Sequence, residues 1–127
     1  MRKLALQLYT VRESAQRDFV GTLKQVAAIG YQGVEGAGNL GGLKAAALDP
    51  ILKDLGLPMV SGHLSLDILR GDLERTVDEY AALGTRYLGL AWIPEHERRS
   101  ASDYRALART LENAARLLQL IGYSSIN

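Results

Sequence analysis

Val26-Ala27-Ala28-Ile29-Gly30-Tyr31-Gln32-Gly33-Val34-Glu35 decides the fold. It runs from a helical apolar stretch through a glycine into a short β-prone run. Glycine is the usual residue just past a helix end, because it takes the left-handed conformation at no steric cost. The same order recurs along the chain. Leu52-Lys53-Asp54-Leu55-Gly56 precedes Pro58-Met59-Val60-Ser61, and Tyr80-Ala81-Ala82-Leu83-Gly84 precedes Tyr87-Leu88-Gly89-Leu90-Ala91; Gln119-Leu120-Ile121-Gly122 is the last example. The four glycines lie 26, 28 and 38 residues apart. A helix–Gly–strand unit repeating at this interval reads as successive βα units around a parallel sheet.

Working outward gives four βα units and a stub. The first strand is expected near Leu4–Tyr9 and the first helix near Asp18–Ile29, with Leu23, Val26 and Ala27 on one face. A second strand near Gln32–Glu35 leads into a glycine-rich loop, Gly36–Gly42. The second helix covers Leu43–Leu55 and restarts at Asp49-Pro50, where Asp caps and Pro suits the first helical position. Strand three is placed at Met59–His63, and helix three near Asp72–Leu83 with Leu73, Val77, Tyr80 and Ala81 inward. Strand four is Tyr87–Ala91. The loop Trp92–Ser100 ends at a cap on Ser100 or Ser102. Helix four aligns Tyr104, Leu107, Leu111, Ala115 and Leu118, and a fifth strand begins near Tyr123. No linker or low-complexity tract interrupts residues 1–127, so one domain is expected.

Composition narrows the function classes. The chain has 127 residues, 47% of them hydrophobic and 23% charged, enough to bury roughly two-thirds of the unfolded surface without staples. With no cysteine there is no disulfide, thiolate nucleophile or zinc–cysteine site, which suits a reducing cytoplasm. Fifteen Lys+Arg against 14 Asp+Glu leave a net charge of +1, with no pull toward nucleic acid or anionic lipid. Gln7 interrupts the apolar run after Arg2-Lys3, so no signal peptide is read there. No stretch approaches the ~18 apolar residues of a membrane span. A soluble cytoplasmic protein, with neither nucleic acid nor membrane as partner, is expected.

Two motifs fail on their context. Gly36-Ala37-Gly38-Asn39-Leu40-Gly41 fits the dinucleotide pattern G-x-G-x-x-G, whose backbone N–H groups hold a pyrophosphate. However, Glu35 would sit beside the phosphates, the loop follows the second strand rather than the first, and no acidic residue ends the next strand. His96-Glu97-Arg98-Arg99-Ser100 starts like a zinc-protease helix but lacks the second His, so Glu95–Arg99 reads as a solvated charged loop.

The strand ends are more informative. In parallel βα architectures the functional side chains gather at the C-terminal ends of strands. Those ends supply Gln7 and Tyr9, then Glu35, His63 and Trp92. Such a set suits a polar, hydroxylated small molecule: hydrogen bonds from Gln7 and Glu35, stacking on Trp92 and proton traffic through His63. These five are the candidate substrate-binding residues; no catalytic residue and no metal ligand is assigned.

Leu6-Gln7-Leu8-Tyr9-Thr10-Val11-Arg12, the Val26–Glu35 segment and Ser61-Gly62-His63 together resemble the sugar phosphate isomerase/epimerase family, within the xylose isomerase-like TIM-barrel superfamily. The resemblance runs from the first strand to helix four. It implies an α/β fold of parallel (β/α) repeats forming about half of a TIM barrel, strands in the order 1-2-3-4 and helices on one face, since a full (β/α)₈ barrel takes about 250 residues. It also implies action on a sugar or polyol by proton transfer, for a sugar beside its carbonyl, aided by a divalent metal in a complete barrel. The family's metal ligands come from second-half strands, so no cofactor is expected in this chain alone. Glu35 and His63 match the second-strand Glu and third-strand His as pocket residues, with Asp67 a further carboxylate beyond strand three. Members often continue from Gly-Tyr into a His-rich fifth strand, whereas here Gly122-Tyr123 meets Ser124-Ser125-Ile126-Asn127; a truncated or frameshifted product, inactive alone, is the expectation.

Two other readings stand beside this one. The chain is a non-catalytic half-barrel binding or structural module, or it is a complete flavodoxin-like domain with a doubly wound sheet. A half barrel leaves open edges at the first and fourth strands and an inner face near which Leu6, Val34 and Leu90 were placed, so a homo-oligomer or a complementary half barrel is the expected partner.

Overall fold

Alternate residues of each strand point to opposite faces, and here one set is apolar throughout. In the computed structural model, which describes residues 2–38 and 40–120, four strands form one parallel sheet: β1 (Leu6–Gln7), β2 (Val34–Gly36), β3 (Met59–Leu64) and β4 (Tyr87–Leu90). Their order is β1-β2-β3-β4. That order matches the (β/α) repeat and excludes the doubly wound flavodoxin-like alternative.

Six helices accompany the strands: α1 (Arg12–Arg17), α2 (Phe19–Ile29), α3 (Ala45–Leu55), α4 (Leu66–Arg70), α5 (Leu73–Ala82) and α6 (Ala101–Leu120). Their buried residues join Val34, Met59, Leu64 and Leu88 of the sheet in one core. Asp18 caps α2 by accepting from the Gly21 N–H at 2.9 Å. Gly30 and Gly56 end α2 and α3 in the left-handed conformation, as the repeat requires. Ser100 and Asp103 cap α6 reciprocally: the Asp103 N–H donates to Ser100 Oγ, and Asp103 Oδ2 accepts from the Ser100 N–H.

Several expectations are corrected. The helix across Asp49-Pro50 does not restart, and α3 runs straight through Pro50. Its first turn is closed by Leu48 N–H on the Lys44 carbonyl, and Ala45, Leu48 and Leu52 bury one face, which outweighs one missing backbone bond. Asp49 pairs instead with Lys53 at 2.6 Å. Helix α4, capped by Ser65 Oγ, lies between the expected strand three and helix three, where no element was assigned. Ala81 and Tyr104 are exposed rather than inward. Leu6, Val34 and Leu90 pack with the helix-side core, so they do not make the open face apolar. The fifth strand expected near Tyr123 lies outside the described residues. Among the described residues no helix is long and apolar enough to cross a membrane.

Sheet and helices meet most closely at Gly36 and Gly62, which are register partners. A Cβ on either would run into the Tyr80 ring of α5. Gly62→Ala is therefore expected to cost about 1–3 kcal/mol in denaturant unfolding. Combined with Tyr80→Leu, it should cost distinctly less than the sum of the two single changes. Strict additivity would show that the contact does not set the spacing.

Candidate functional site

The pairing of β2 with β3 shifts by one residue. Val34 is in register with Met59, but Glu35 is in register with Ser61, leaving Val60 as an extra residue on β3. Residues aligned on neighbouring strands share a face. Gln7 is aligned with Glu35 and Glu35 with Ser61, and His63 lies two residues on. All four therefore project from the face opposite the helices, toward the C-terminal ends of the strands.

Their side chains meet around one carboxylate. Gln7 Nε2 donates to Glu35 Oε1 at 2.9 Å, and His63 Nε2 lies 2.9 Å from the same oxygen. Ser61 Oγ donates to Glu35 Oε2 at 2.5 Å. Gln7 Nε2 and His63 Nε2 are 3.5 Å apart. That is the separation of two nitrogens flanking one acceptor, and it suits an Nε2–H of His63 directed at Glu35. Burial pushes the Glu35 carboxyl upward, but hydrogen bonds from Ser61 and Gln7 and the charge of His63 outweigh it and hold it below the usual carboxylate range. The result is a fixed carboxylate anion orienting an imidazole, both about a quarter exposed. Chemically, such an array can accept from a hydroxyl at the open side of the carboxylate and exchange hydrogen bonds through the imidazole.

The structure brings together Gln7, Glu35 and His63 of the five residues expected from strand ends. Tyr9 lies under the Arg12 guanidinium, 4.5 Å from it, and lines a neighbouring cavity whose wall includes none of Gln7, Glu35, Ser61 or His63. Trp92 stands two residues beyond β4, two-thirds exposed. Ser61 was missed, although two residues before His63 on a strand is the same face.

The donor set does not make a complete metal centre. A catalytic divalent cation takes about three or four protein ligands. Glu35 and His63 are two, both Glu35 oxygens already accept hydrogen bonds, and no third His, Cys, Asp or Glu joins them among the described residues. Asp67 is exposed on α4, and His96 is exposed in the loop before α6. That loop is pinned as well as solvated: Glu97 accepts a two-pronged bond from Arg70 at 3.0 and 2.5 Å. After the G-x-G-x-x-G stretch the first N–H of α3, on Ala45, is already taken: it donates to Glu79 of α5 at 2.6 Å.

Neither a family model nor a curated protein matches the chain. Solved structures do. A sugar phosphate isomerase/epimerase from Parabacteroides distasonis superposes with a TM-score of 0.75 at 17% identity, over 95% of this chain and 49% of its own. An AP endonuclease, family 2, from Brucella melitensis gives 0.73 at 18%, over 99% and 54%. The probable 3-DHS dehydratase AsbF, involved in petrobactin synthesis in Bacillus anthracis, gives 0.53 at 19%, over 91% and 49%. These are xylose isomerase-like TIM barrels, and the chain spans about half the length of each. The fold is half of a TIM barrel. At such identities the likeness speaks for the fold alone.

The Glu35 cluster predicts a pH response. A carboxyl with a depressed folded-state pKa contributes stability that is full above its unfolded value, near 4.5, and lost as pH falls through the folded value. Ser61→Ala should raise the Glu35 pKa, read by carboxyl NMR titration, and cost about 1 kcal/mol at neutral pH. It should also shrink the stability lost below pH 4.5. An unmoved Glu35 titration would refute the assignment.

Proposed function

We propose that this chain is the sugar- or polyol-binding half of an isomerase/epimerase-type barrel. In this reading Gln7, Glu35 and His63 bind the hydroxylated substrate, with Trp92, two residues beyond β4, as the aromatic contact at the rim and Tyr9 turned away to its own cavity. The observation that supports it best is the Glu35 carboxylate, fixed by three donors on the uncovered face of a half barrel at its strand ends. An anion held this way accepts from sugar hydroxyls, with His63 beside it as the group that would exchange a proton next to a carbonyl. The solved sugar phosphate isomerase/epimerase of similar fold is consistent with that chemistry. The absence of cysteine suits a cytoplasmic setting.

Direct binding tests the reading. Aldoses, ketoses, their phosphates and polyols are titrated into the ¹⁵N-labelled chain. At least one should shift the amides around Gln7, Glu35 and His63, and Glu35→Gln or His63→Ala should weaken it by tenfold or more. Failure of the whole panel to perturb these amides would reject it.

A second reading, a non-catalytic binding module, is favoured by one observation: among the described residues the site supplies two metal-capable side chains and no third. A proton transfer that builds charge on an enediolate needs a fixed electrostatic partner that Glu35 and His63 do not supply. The chain alone is therefore expected to bind manganese or zinc no tighter than micromolar by calorimetry, and to give no ketose–aldose turnover. Light scattering should show a dimer or larger assembly, a second copy or a complementary half covering the open sheet. Turnover by a monomer would overturn both expectations.

A further inference from the structure

The cavity that holds Tyr9 is not absorbed by the site just described. It has a volume of about 710 Å³ and lies between the chain following β1 and the chain following β2, against the start of α2. That volume falls within the range of small-molecule sites, about 300–1,000 Å³. Its walls are largely apolar, with Leu8, Phe19, Val20 and Leu43 among them.

Its charged groups are unequal in commitment. Arg12 and Arg17 both line it. Arg12 is held in place by its donation to the Tyr9 carbonyl at 3.1 Å and by the Tyr9 ring, and no carboxylate pairs with it among the described residues. Most of its N–H fork remains available, and its orientation is already fixed, which lowers the entropy lost on binding. Arg17 has one distant partner, Glu13 at 3.9 Å, with both side chains nearly four-fifths exposed. Asp18, the one carboxylate in the lining, is occupied as the cap of α2. A half-open hollow with mostly apolar walls, two under-used guanidiniums and a committed acid favours an anion with an apolar body over a cation.

We infer that this cavity binds a small aromatic or alicyclic molecule carrying a carboxylate or phosphate, the apolar body against Phe19 and Leu43 and the anion on Arg12 and Arg17. The site is separate from the Glu35 cluster and stands or falls apart from the sugar-binding reading.

The test titrates the full ¹⁵N-labelled chain with 2-naphthyl phosphate, and in parallel with inorganic phosphate and 2-naphthol. Naphthyl phosphate should shift amides of α1, the start of α2 and Ala37–Gly38, binding at least tenfold tighter than either fragment. Arg12→Gln should weaken it about tenfold, and Arg12→Lys, which keeps the charge but not the fork, less. Because Arg12→Gln also frees Tyr9, Ala15→Glu is the second variant: three residues on from Arg12 along α1, its carboxylate competes for the guanidinium while Arg12 and Tyr9 are both kept, and it should weaken binding similarly while the remaining spectrum holds. Shifts centred on Gln7, Glu35 and His63, equal binding of inorganic phosphate, or unchanged affinity in Arg12→Gln and Ala15→Glu would each overturn the inference.

Discussion

One extra residue in β3 decides which side of the sheet carries chemistry. Had β3 continued in the register that pairs Val34 with Met59, Glu35 would align with Val60, and Ser61 would alternate onto the helix side. A hydroxyl and an imidazole would then enter an apolar core, where each needs a buried partner. With Val60 as the extra residue, Met59, Gly62 and Leu64 face the helices while Ser61 and His63 face Glu35. The same step that keeps the core dry builds the polar cluster.

On the other side of the sheet the governing contact is steric. Tyr80 is 3% exposed and lies against Gly36 and Gly62, where side chains would exclude it. Its hydroxyl has no hydrogen-bond partner among the described residues. Burial, with a smaller contribution from the Glu35 charge, pushes the phenol up to about 12, so it stays neutral. The glycine pair lets a bulky neutral ring fill the interface directly behind the Glu35 cluster. The sheet is thereby polar in front and close-packed behind at the same level of the barrel.

Much of this was legible because it follows from local rules. The glycines after α2 and α3 marked helix ends, and the β-prone runs behind them gave strand order once parallel connections were assumed. Gln7, Glu35 and His63 were legible because strand ends converge in this architecture. What escaped depended on pairing between distant segments. The bulge at Val60 cannot be seen in β3 alone, since strict alternation groups Met59 with Ser61 and His63, whereas Met59 turns inward. Helix α4 has five residues, too few for a periodic pattern. Pro50 read as a boundary because its local signal is strong, yet the apolar stripe of Ala45, Leu48 and Leu52 carries the helix through it.

The open face gives the site its remaining property. Glu35 and His63 keep about a quarter of their side-chain surface in solvent, where water screens the carboxylate charge. Their geometry is already fixed by Ser61 and Gln7, so a cover over the sheet need not reposition them. It would lower the local dielectric and strengthen each existing interaction in place. Geometry and dielectric are thus separable at this cluster: Ser61 and Gln7 set the first, and the exposure of the sheet face sets the second.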